Sequence, residues 1–317
     1  MANASAAATV WNCPNYLGEL FLIGAQGNKT PFLTMMGGLS GGQVMKTNSF
    51  QFPVAQPWAL ESAAQPAITE TASLTAPTPT TYVRGQDTNT VQIFQEQVSV
   101  SYAKQSVIGE LSGLSIEGQN IIRNEKDFQI MANLLQIAKD ANYSFLNGTY
   151  QAATDASTAA KTRGIITATS TNAIAAGTAD LSKDLMDQLF VAMAAGGAQF
   201  VQPVIFASAL DVQRISNIYG FAPQSETVGG VNVATIIAPL VGRVAVVWDA
   251  NVPAGSLLCA DMSVCKPVVL EVPEKGVLFY EELSKTGASE KGQIYGQMGI
   301  DYGAEEYHGK ITGLSTS

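Results

Sequence analysis

The chain has 317 residues, of which 46% are hydrophobic and only 14% are charged, against about 25% charged residues in a typical domain. The net charge is −9 and no Lys/Arg block could neutralise a run of phosphates, which excludes tight or sequence-specific nucleic-acid binding and disfavours anionic membranes. No apolar run reaches the roughly 18 residues of a membrane span, and no basic segment precedes an apolar one as in a signal peptide.

Residues 1–49 are predicted to form an N-terminal interaction arm. The first 60 residues carry three charged side chains, those of Glu19, Lys29 and Lys46, and the Gly-rich stretch at 37–42 is typical of a hinge. A surface with so few charges is usually buried against something else. We therefore expect this arm to contact a neighbouring molecule.

Residues 50–106 are predicted to form an extended loop. Prolines at 53, 57, 66, 77 and 79 exclude a long helix. Alternating apolar and polar residues predict an outgoing strand at 49–60 and a return strand at 90–106, with a loop at 61–87 between them. At roughly 3.3 Å per residue, a strand at 90–106 would be about 55 Å long. Such an arm is expected to overhang its own domain and reach a second copy.

The segment 107–162 contains the clearest predicted helix, at 125–147. Its apolar residues recur at three- and four-residue steps, Asn124 with Asp127 forms a candidate N-cap, and Gly148 is placed to end the helix. The face predicted to be buried comprises Phe128, Met131, Leu134, Leu135, Ala138, Asn142, Phe145 and Leu146.

Residues 163–261 show a mixed pattern that predicts an inserted α/β unit. Helices are expected at 182–195 and 210–219, and strands at 204–206, 244–248 and 257–259. Gly229-Gly230 predicts a hairpin turn before a strand at 231–237. Residues 262–317 then return to strands at 268–272, 277–282 and 293–301. The fold class is therefore α+β.

The residues predict no catalytic, cofactor-binding or metal site. His308 is the only histidine, and its charged, strand-ending surroundings favour a surface or interface position. The three cysteines lack metal-ligand spacing and are expected to be inert thiols. The pairs Glu281-Glu282 and Glu305-Glu306 put adjacent carboxylates on opposite sides of a strand, so neither forms an acid/base pair by itself.

Three sets of residues carry a family resemblance. They are residues 89–104 (NTVQIFQEQVSVSYAK), then 141–151 (ANYSFLNGTYQ) with 161–164 (KTRG), and finally 285–296 (KTGASEKGQIYG) continuing to 305–313 (EEYHGKITG). Together with the element order, these sets resemble the major capsid proteins of tailed bacteriophages, which have the HK97-like fold. The likeness covers most of residues 85–313, and residues 1–60 are much less diagnostic.

The resemblance implies a domain organisation and a function. Residues 50–106 would be the extended loop, 125–147 the spine helix of a peripheral domain that starts at 107, 163–261 the axial domain, and 262–317 the closing strands of the peripheral domain. The chain would self-assemble into pentamers and hexamers of an icosahedral phage head that encloses double-stranded DNA. It would be part of the virion, assembled in the host cytoplasm.

The same resemblance implies partners. A portal would occupy one vertex, and a decoration protein would be a further candidate partner. Because the chain upstream of the helix is too short for a fused scaffolding domain, a separate scaffolding protein or none is expected. The acidic balance favours weak, non-specific contact with DNA, and no membrane partner is expected. Predicted inter-subunit contacts are Trp11, Phe21, Phe52, Trp58, Val98, Val100, Tyr102, Glu305, Glu306 and His308.

Two alternatives stay open at this point. The first is the shell of an encapsulin-type compartment, which shares the fold and encloses enzyme cargo. The second, more remote, is a hydrolase that uses Ser289, Lys291 and Glu305, because Lys285-Thr286-Gly287 superficially resembles a penicillin-binding motif. No Ser-x-x-Lys nucleophile precedes that motif at the required spacing.

Overall fold

A computed structural model describes residues 20–21, 23, 29–36, 44–56, 63–82, 85–103, 125–219, 226–228, 231–285 and 287–316. The predictions for Trp11, Trp58, the hinge at 37–42 and the cap at Asn124 lie outside these residues. The described helices are α1 (Pro31–Thr34), α2 (Glu70–Ser73), α3 (Glu125–Asn147), α4 (Ile165–Ala168), α5 (Lys183–Ala195) and α6 (Ala209–Tyr219), with a 3-10 turn at Glu305–Tyr307.

The described strands form two large sheets and one ribbon. They are β1 (Met45–Thr47), β2 (Gln51–Ala55), β3 (Gln86–Thr90), β4 (Gln92–Ser101), β5 (Ala173–Ala175), β6 (Pro203–Ala207), β7 (Glu226–Val228), β8 (Val231–Ala238), β9 (Gly242–Trp248), β10 (Ser256–Asp261), β11 (Lys266–Leu270), β12 (Leu278–Leu283), β13 (Ser289–Asp301) and β14 (Gly309–Thr312). This mixture confirms the predicted α+β class.

The first sheet is organised around the long strand β13. Strand β4 pairs with residues 289–298 of β13 in antiparallel register. β13 also pairs with β12 through residues 291–296 and with β11 through residues 298–301. β1 adds a parallel edge beside β11, which ties a short part of the predicted N-terminal arm to its own chain.

The strand predicted at 90–106 corresponds to β4, which is shorter than predicted, and residues 104–106 lie outside the described residues. β3 ends at Thr90, and β4 runs from Gln92 to Ser101, about 33 Å at roughly 3.3 Å per residue. β3 pairs with β2, whereas β4 lies along β13 and therefore does not overhang its own domain. β3 is polar throughout, so the alternation of apolar and polar residues marks β4 alone, and it does not show which strand β4 pairs with.

Helix α3 has the predicted bounds and ends at Gly148, whose backbone N–H donates to the Ser144 oxygen at 2.8 Å. Its buried side is partly different from the prediction, because Phe128 and Met131 are 43% and 53% exposed. The buried residues are Ile130, Leu134, Ile137, Ala138, Ala141, Asn142, Phe145 and Leu146. Apolar residues occur on both sides of the first two turns of α3, so their spacing in the sequence could not show which side is buried.

The second sheet has seven strands in the order β5-β14-β10-β6-β9-β8-β7. It contains the predicted strands and the predicted hairpin, in which Val228 pairs with Val231. The last strand, β14, pairs with β10 and β5 and so belongs to this sheet. Residues 262–317 are therefore not all closing strands of the first sheet, which corrects the predicted boundary.

Both faces of the second sheet are covered. One face, including Phe206, Val247 and Leu258, packs in a core shared with α3 and the first sheet. The other face, including Ile205, Ala207 and Val246, packs in a second core with α5 and α6. This explains why all five residues of β6 are buried. In the ranges given above, no helix combines the length and apolarity that a membrane crossing requires.

Candidate functional site

An extended loop projects from the β2–β3 ribbon. The ribbon buries Phe52 and Val54, whereas every residue from 63 to 82 is exposed. Ile68 and Leu74 in this stretch are 70% and 84% exposed, and α2 is its one helical turn. We call residues 63–82 the loop tip. The predicted loop at 61–87 is thus confirmed for the described residues, except that β3 begins at Gln86.

Asn89 holds the root of this loop against the first sheet. Its side-chain Nδ2 donates to the carbonyl oxygens of Ile300 at 2.8 Å and Arg163 at 3.2 Å. Its Oδ1 accepts from the backbone N–H groups of Arg163 at 2.7 Å and Thr90 at 2.9 Å. Asn89 is fully buried, so this one side-chain amide provides hydrogen bonds to four backbone groups. The residues quoted in two of the resemblance motifs, Asn89-Thr90 and Arg163, therefore meet here.

A charged cluster lies beside Asn89. Arg163 forms an ion pair with Asp87 and lies over the ring of Tyr150, with 4.9 Å between its guanidinium carbon and the ring centroid. The hydroxyl of Tyr302 donates to Asp87 at 3.2 Å. Burial raises the pKa of Tyr302, so the hydroxyl remains a donor. Together with Asn89, this cluster fixes the direction in which the ribbon leaves the domain.

Two glycines allow the chain to approach this root closely. Gly164 donates its backbone N–H to the Gly148 oxygen at 2.8 Å. A Cβ on Gly148 would clash with the backbone oxygens of Thr162 and Ser144. The end of α3 and the KTRG segment can therefore lie side by side only because these positions lack side chains.

Residues 30–36 of the N-terminal arm are packed inside their own chain. Phe32 is fully buried and contacts Phe206 with 5.1 Å between ring centroids. The backbone N–H of Leu33 donates to Asn142 Oδ1 at 2.9 Å, and Asn142 Nδ2 donates to Asp249 at 3.0 Å. Burial raises the pKa of Asp249, although its hydrogen bonds oppose this shift. This polar junction joins α1, α3 and the end of β9.

Several residues predicted to contact a neighbour are covered by their own chain. Phe21, Phe52, Val98, Val100 and His308 are between 0% and 5% exposed. Their side chains fill this chain's core, so we do not carry them into a proposed interface. Tyr102 is 43% exposed and remains accessible.

Glu305 and Glu306 have separate environments. The carboxylate of Glu305 accepts hydrogen bonds from the backbone N–H and hydroxyl groups of Ser170 and Thr171. Although burial opposes the shift, these bonds lower the pKa of Glu305. Burial raises the pKa of Glu306. Because Glu305 is bound to Ser170 and Thr171, the structure does not assemble it with Ser289 and Lys291 as the hydrolase hypothesis required.

His308 is a buried structural residue and not a surface residue. Its Nδ1 accepts from the backbone N–H of Asp261 at 3.2 Å, so its Nε2 carries the proton and donates to the Tyr302 oxygen at 2.6 Å. Burial lowers the pKa of His308 below its ordinary value of 6.5, although the bond to Tyr302 and the charges of Asp261 and Glu305 oppose this shift. The sequence neighbours of His308 are polar, but the strand pairing of β14 carries it inward.

The buried imidazole predicts lower stability in acid. The neutral ring stabilises the fold fully above about pH 6.5, and this contribution is lost as the pH falls toward the lower folded pKa. We expect the urea midpoint of the chain to fall between pH 7.5 and pH 5.5. In His308→Gln, whose amide can accept from Asp261 and donate to Tyr302, this fall should be smaller. Parallel pH curves for the two proteins, measured by circular dichroism, would show that His308 is not responsible.

Within the described ranges, no group of three or more His, Cys, Asp or Glu side chains is placed to hold a metal ion. Burial raises the pKa of Cys259 to about 12 and also raises that of Cys265. These two thiols are therefore unreactive at neutral pH, as predicted. The candidate site is an exposed loop with few charges, held by a rigid root. Such a loop is suited to contact with another protein surface.

Comparison with known proteins gives a family match over nearly the whole chain. The model of the SU10 major capsid protein family matches residues 3–315. No curated protein sequence matches.

Solved structures share the fold at low sequence identity. The SrpI encapsulin of Synechococcus elongatus PCC 7942 is similar with a TM-score of 0.58 and 9% identity, covering 88% of this chain and 87% of that one. A structure from Mycobacterium phage Patience has a TM-score of 0.55 and 13% identity, with 95% and 89% covered. The capsid of a native GTA particle has a TM-score of 0.52 and 11% identity, with 86% and 88% covered.

The family match and these structures confirm the HK97-like fold that the sequence motifs implied. The family consists of structural proteins that assemble into capsids, and it is not a family of enzymes. The chain belongs to the SU10 major capsid protein family.

Proposed function

We propose that this capsid protein forms pentamers and hexamers and that its extended loop joins them into the icosahedral head of a phage that packages double-stranded DNA. The observation that supports this most is the loop tip. It exposes Ile68 and Leu74 to solvent although a rigid root holds the ribbon below it. Apolar residues in that position are stabilised when a second copy covers them.

We propose that a single loop binds its neighbour weakly, whereas the many loop contacts of a whole shell together hold it strongly. Each copy both offers a loop and receives one, so the contacts multiply through effective concentration. Asn89, Arg163 and Asp87 hold the ribbon in one direction, which lowers the entropy lost when the tip binds. Rotational contacts would close rings of five and six copies, and loop contacts would join the rings.

The proposal includes partners and a location. A portal at one vertex, a separate scaffolding protein and a decoration protein are proposed partners, with assembly in the host cytoplasm before the head becomes part of the virion. Contact with packaged DNA is proposed to be weak and non-specific, because the chain has a net charge of −9. An inner wall of this charge would not retain DNA against packing or ejection.

An encapsulin-type compartment is the second candidate, supported by the likeness to the SrpI encapsulin. That likeness, at 9% identity, shows the fold alone, whereas the family match is to a capsid protein. The contents of particles purified from the producing cell distinguish the two. Nuclease-protected DNA is expected for a head, and a stoichiometric enzyme cargo for a compartment.

Negative-stain microscopy of the expressed full chain tests the proposed assembly directly. We expect closed shells, with pentamers and hexamers as their building units. A compact, monodisperse single copy at high protein concentration, with residues 63–82 folded back on the same chain, would overturn the proposal. Small-angle scattering distinguishes this state from a shell, because the two differ in both mass and radius.

A further inference from the structure

The two ends of the seven-stranded sheet carry surfaces of different character. Helix α5 packs against β14 and β5 at one end of the strand order. The β8–β9 hairpin lies next to β7 at the other end. The two surfaces described below are therefore separated by the width of the sheet and do not meet within one copy.

The outer side of α5 forms the first surface. Together with Ile174 of β5, the residues that recur at three- and four-residue steps along this side are Asp184, Asp187, Gln188, Val191, Ala192 and Ala195. We call this surface the α5 groove. Val191 is 60% exposed although the opposite side of the helix, with Met186, Leu189 and Phe190, is buried in the core. The groove thus combines an apolar floor with two carboxylates.

The tip of the β8–β9 hairpin forms the second surface. Ile237 and Leu240 are 60% and 54% exposed, and Arg243 is exposed beside them. Ile237 and Arg243 are paired across the two strands, so their side chains lie on the same face. In the part of the chain that the structure describes, the Arg243 guanidinium forms no ion pair or hydrogen bond. We call Ile237, Leu240 and Arg243 the hairpin patch.

We infer that the hairpin patch of one copy binds in the α5 groove of the next copy around a ring. This inference rests on the proposed function, and it names the residues of the contact between copies in that ring. Arg243 would pair with Asp184 and Asp187, and Ile237 and Leu240 would cover Val191. Both partners of this contact are on the same chain, and their charges and apolar areas are complementary.

The position of the two surfaces gives the contact its geometry. A patch that binds a different patch on an identical neighbour forms a heterologous contact, and such contacts repeat head to tail until a ring closes. Surfaces on opposite ends of one sheet are suited to this arrangement, because each copy uses both at once. Lys183 is exposed four residues before Asp187, on the same side of α5. Asp184 lies in the first turn of α5, where its negative charge also stabilises the helix itself. Asp187 is therefore the better position for a test.

A charge swap tests the contact. Arg243→Glu and Asp187→Lys are made separately and together in the full chain, and rings and shells are measured by native mass spectrometry and negative-stain microscopy. Each single variant should need at least about tenfold more protein for half-assembly, because like charges then face each other. The double variant should return to within about threefold of the wild type. Lys139→Glu, at an exposed site on α3 and with the same charge change as Arg243→Glu, is the matched control.

The outcomes separate this inference from the proposed function. Circular dichroism of each variant checks that the fold is unchanged. Single variants that assemble like the wild type, or a double variant that stays as defective as the singles, would overturn the inference while leaving the capsid function intact. Rings that respond to the charge swap would support the inference even where closed shells do not form. A wild type that makes neither rings nor shells would overturn both proposals.

Discussion

Replacing residues 57–84 with Asn-Gly should give a folded protein that no longer forms shells. Ala55 and Gln86 are the last paired residues of the β2–β3 ribbon, so Gln56, Asn, Gly and Gly85 can close a two-residue hairpin. The root residues Asp87 and Asn89 and the strand β3 all remain. The replacement removes the loop tip, with exposed Ile68 and Leu74, which we propose joins neighbouring rings.

Shell formation is measured by negative-stain microscopy and by light scattering across a range of protein concentrations. The expected result is that closed particles disappear while the thermal melting temperature of the unassembled chain changes by only a few degrees. A second variant, Ile68→Ser with Leu74→Ser, keeps the loop length and should weaken assembly to a smaller degree. Normal particles from the Asn-Gly variant would refute the role of the loop tip.

Asn89→Ala should cause the largest loss of stability of any single substitution at the loop root. The change removes an amide that bonds to Ile300, Arg163 and Thr90, and it leaves buried backbone groups without partners. Each unsatisfied buried group costs about 1–3 kcal/mol, so a total loss of roughly 3 kcal/mol is expected after local relaxation. The free energy of unfolding is measured by urea titration of the unassembled chain.

Two further variants make this prediction specific. Thr88→Ala changes a half-buried residue of the same strand and should cost less than about 1 kcal/mol. Asn89→Asp keeps both acceptor bonds, but it buries a carboxylate oxygen against the carbonyl oxygens of Ile300 and Arg163, so its stability should be no higher than that of Asn89→Ala. Equal stability of Asn89→Ala and Thr88→Ala would show that the buried amide does not hold the root.

Local features of the chain were predictable where one physical cause dominates. Helix α3 has the predicted ends, because its apolar period is long and Gly148 stops it. The predicted strands and helices of the inserted unit are present, and most of their ends differ from the predicted ends by one or two residues.

Sequence periodicity did not show which surface covers an apolar strand side. Val98 and Val100 have the alternation of a strand, but alternation does not tell whether the buried side faces the same chain or another one. Both residues pack in their own core because β4 pairs with β13, about 200 residues later in the sequence. His308 was misplaced for the same reason, since β14 joins a sheet whose other strands lie far away in the chain.

By itself, the sequence determined the order and type of the elements, the low charge that indicates covered surfaces, and the motifs that identify the capsid family. Tertiary structure alone decided which apolar surfaces remain uncovered, because burial depends on long-range strand pairing. It also brought Asn89, Arg163, Asp87 and Tyr302 together from three distant segments. No local sequence pattern specifies these contacts, because their interaction energy arises only when the segments are already packed together.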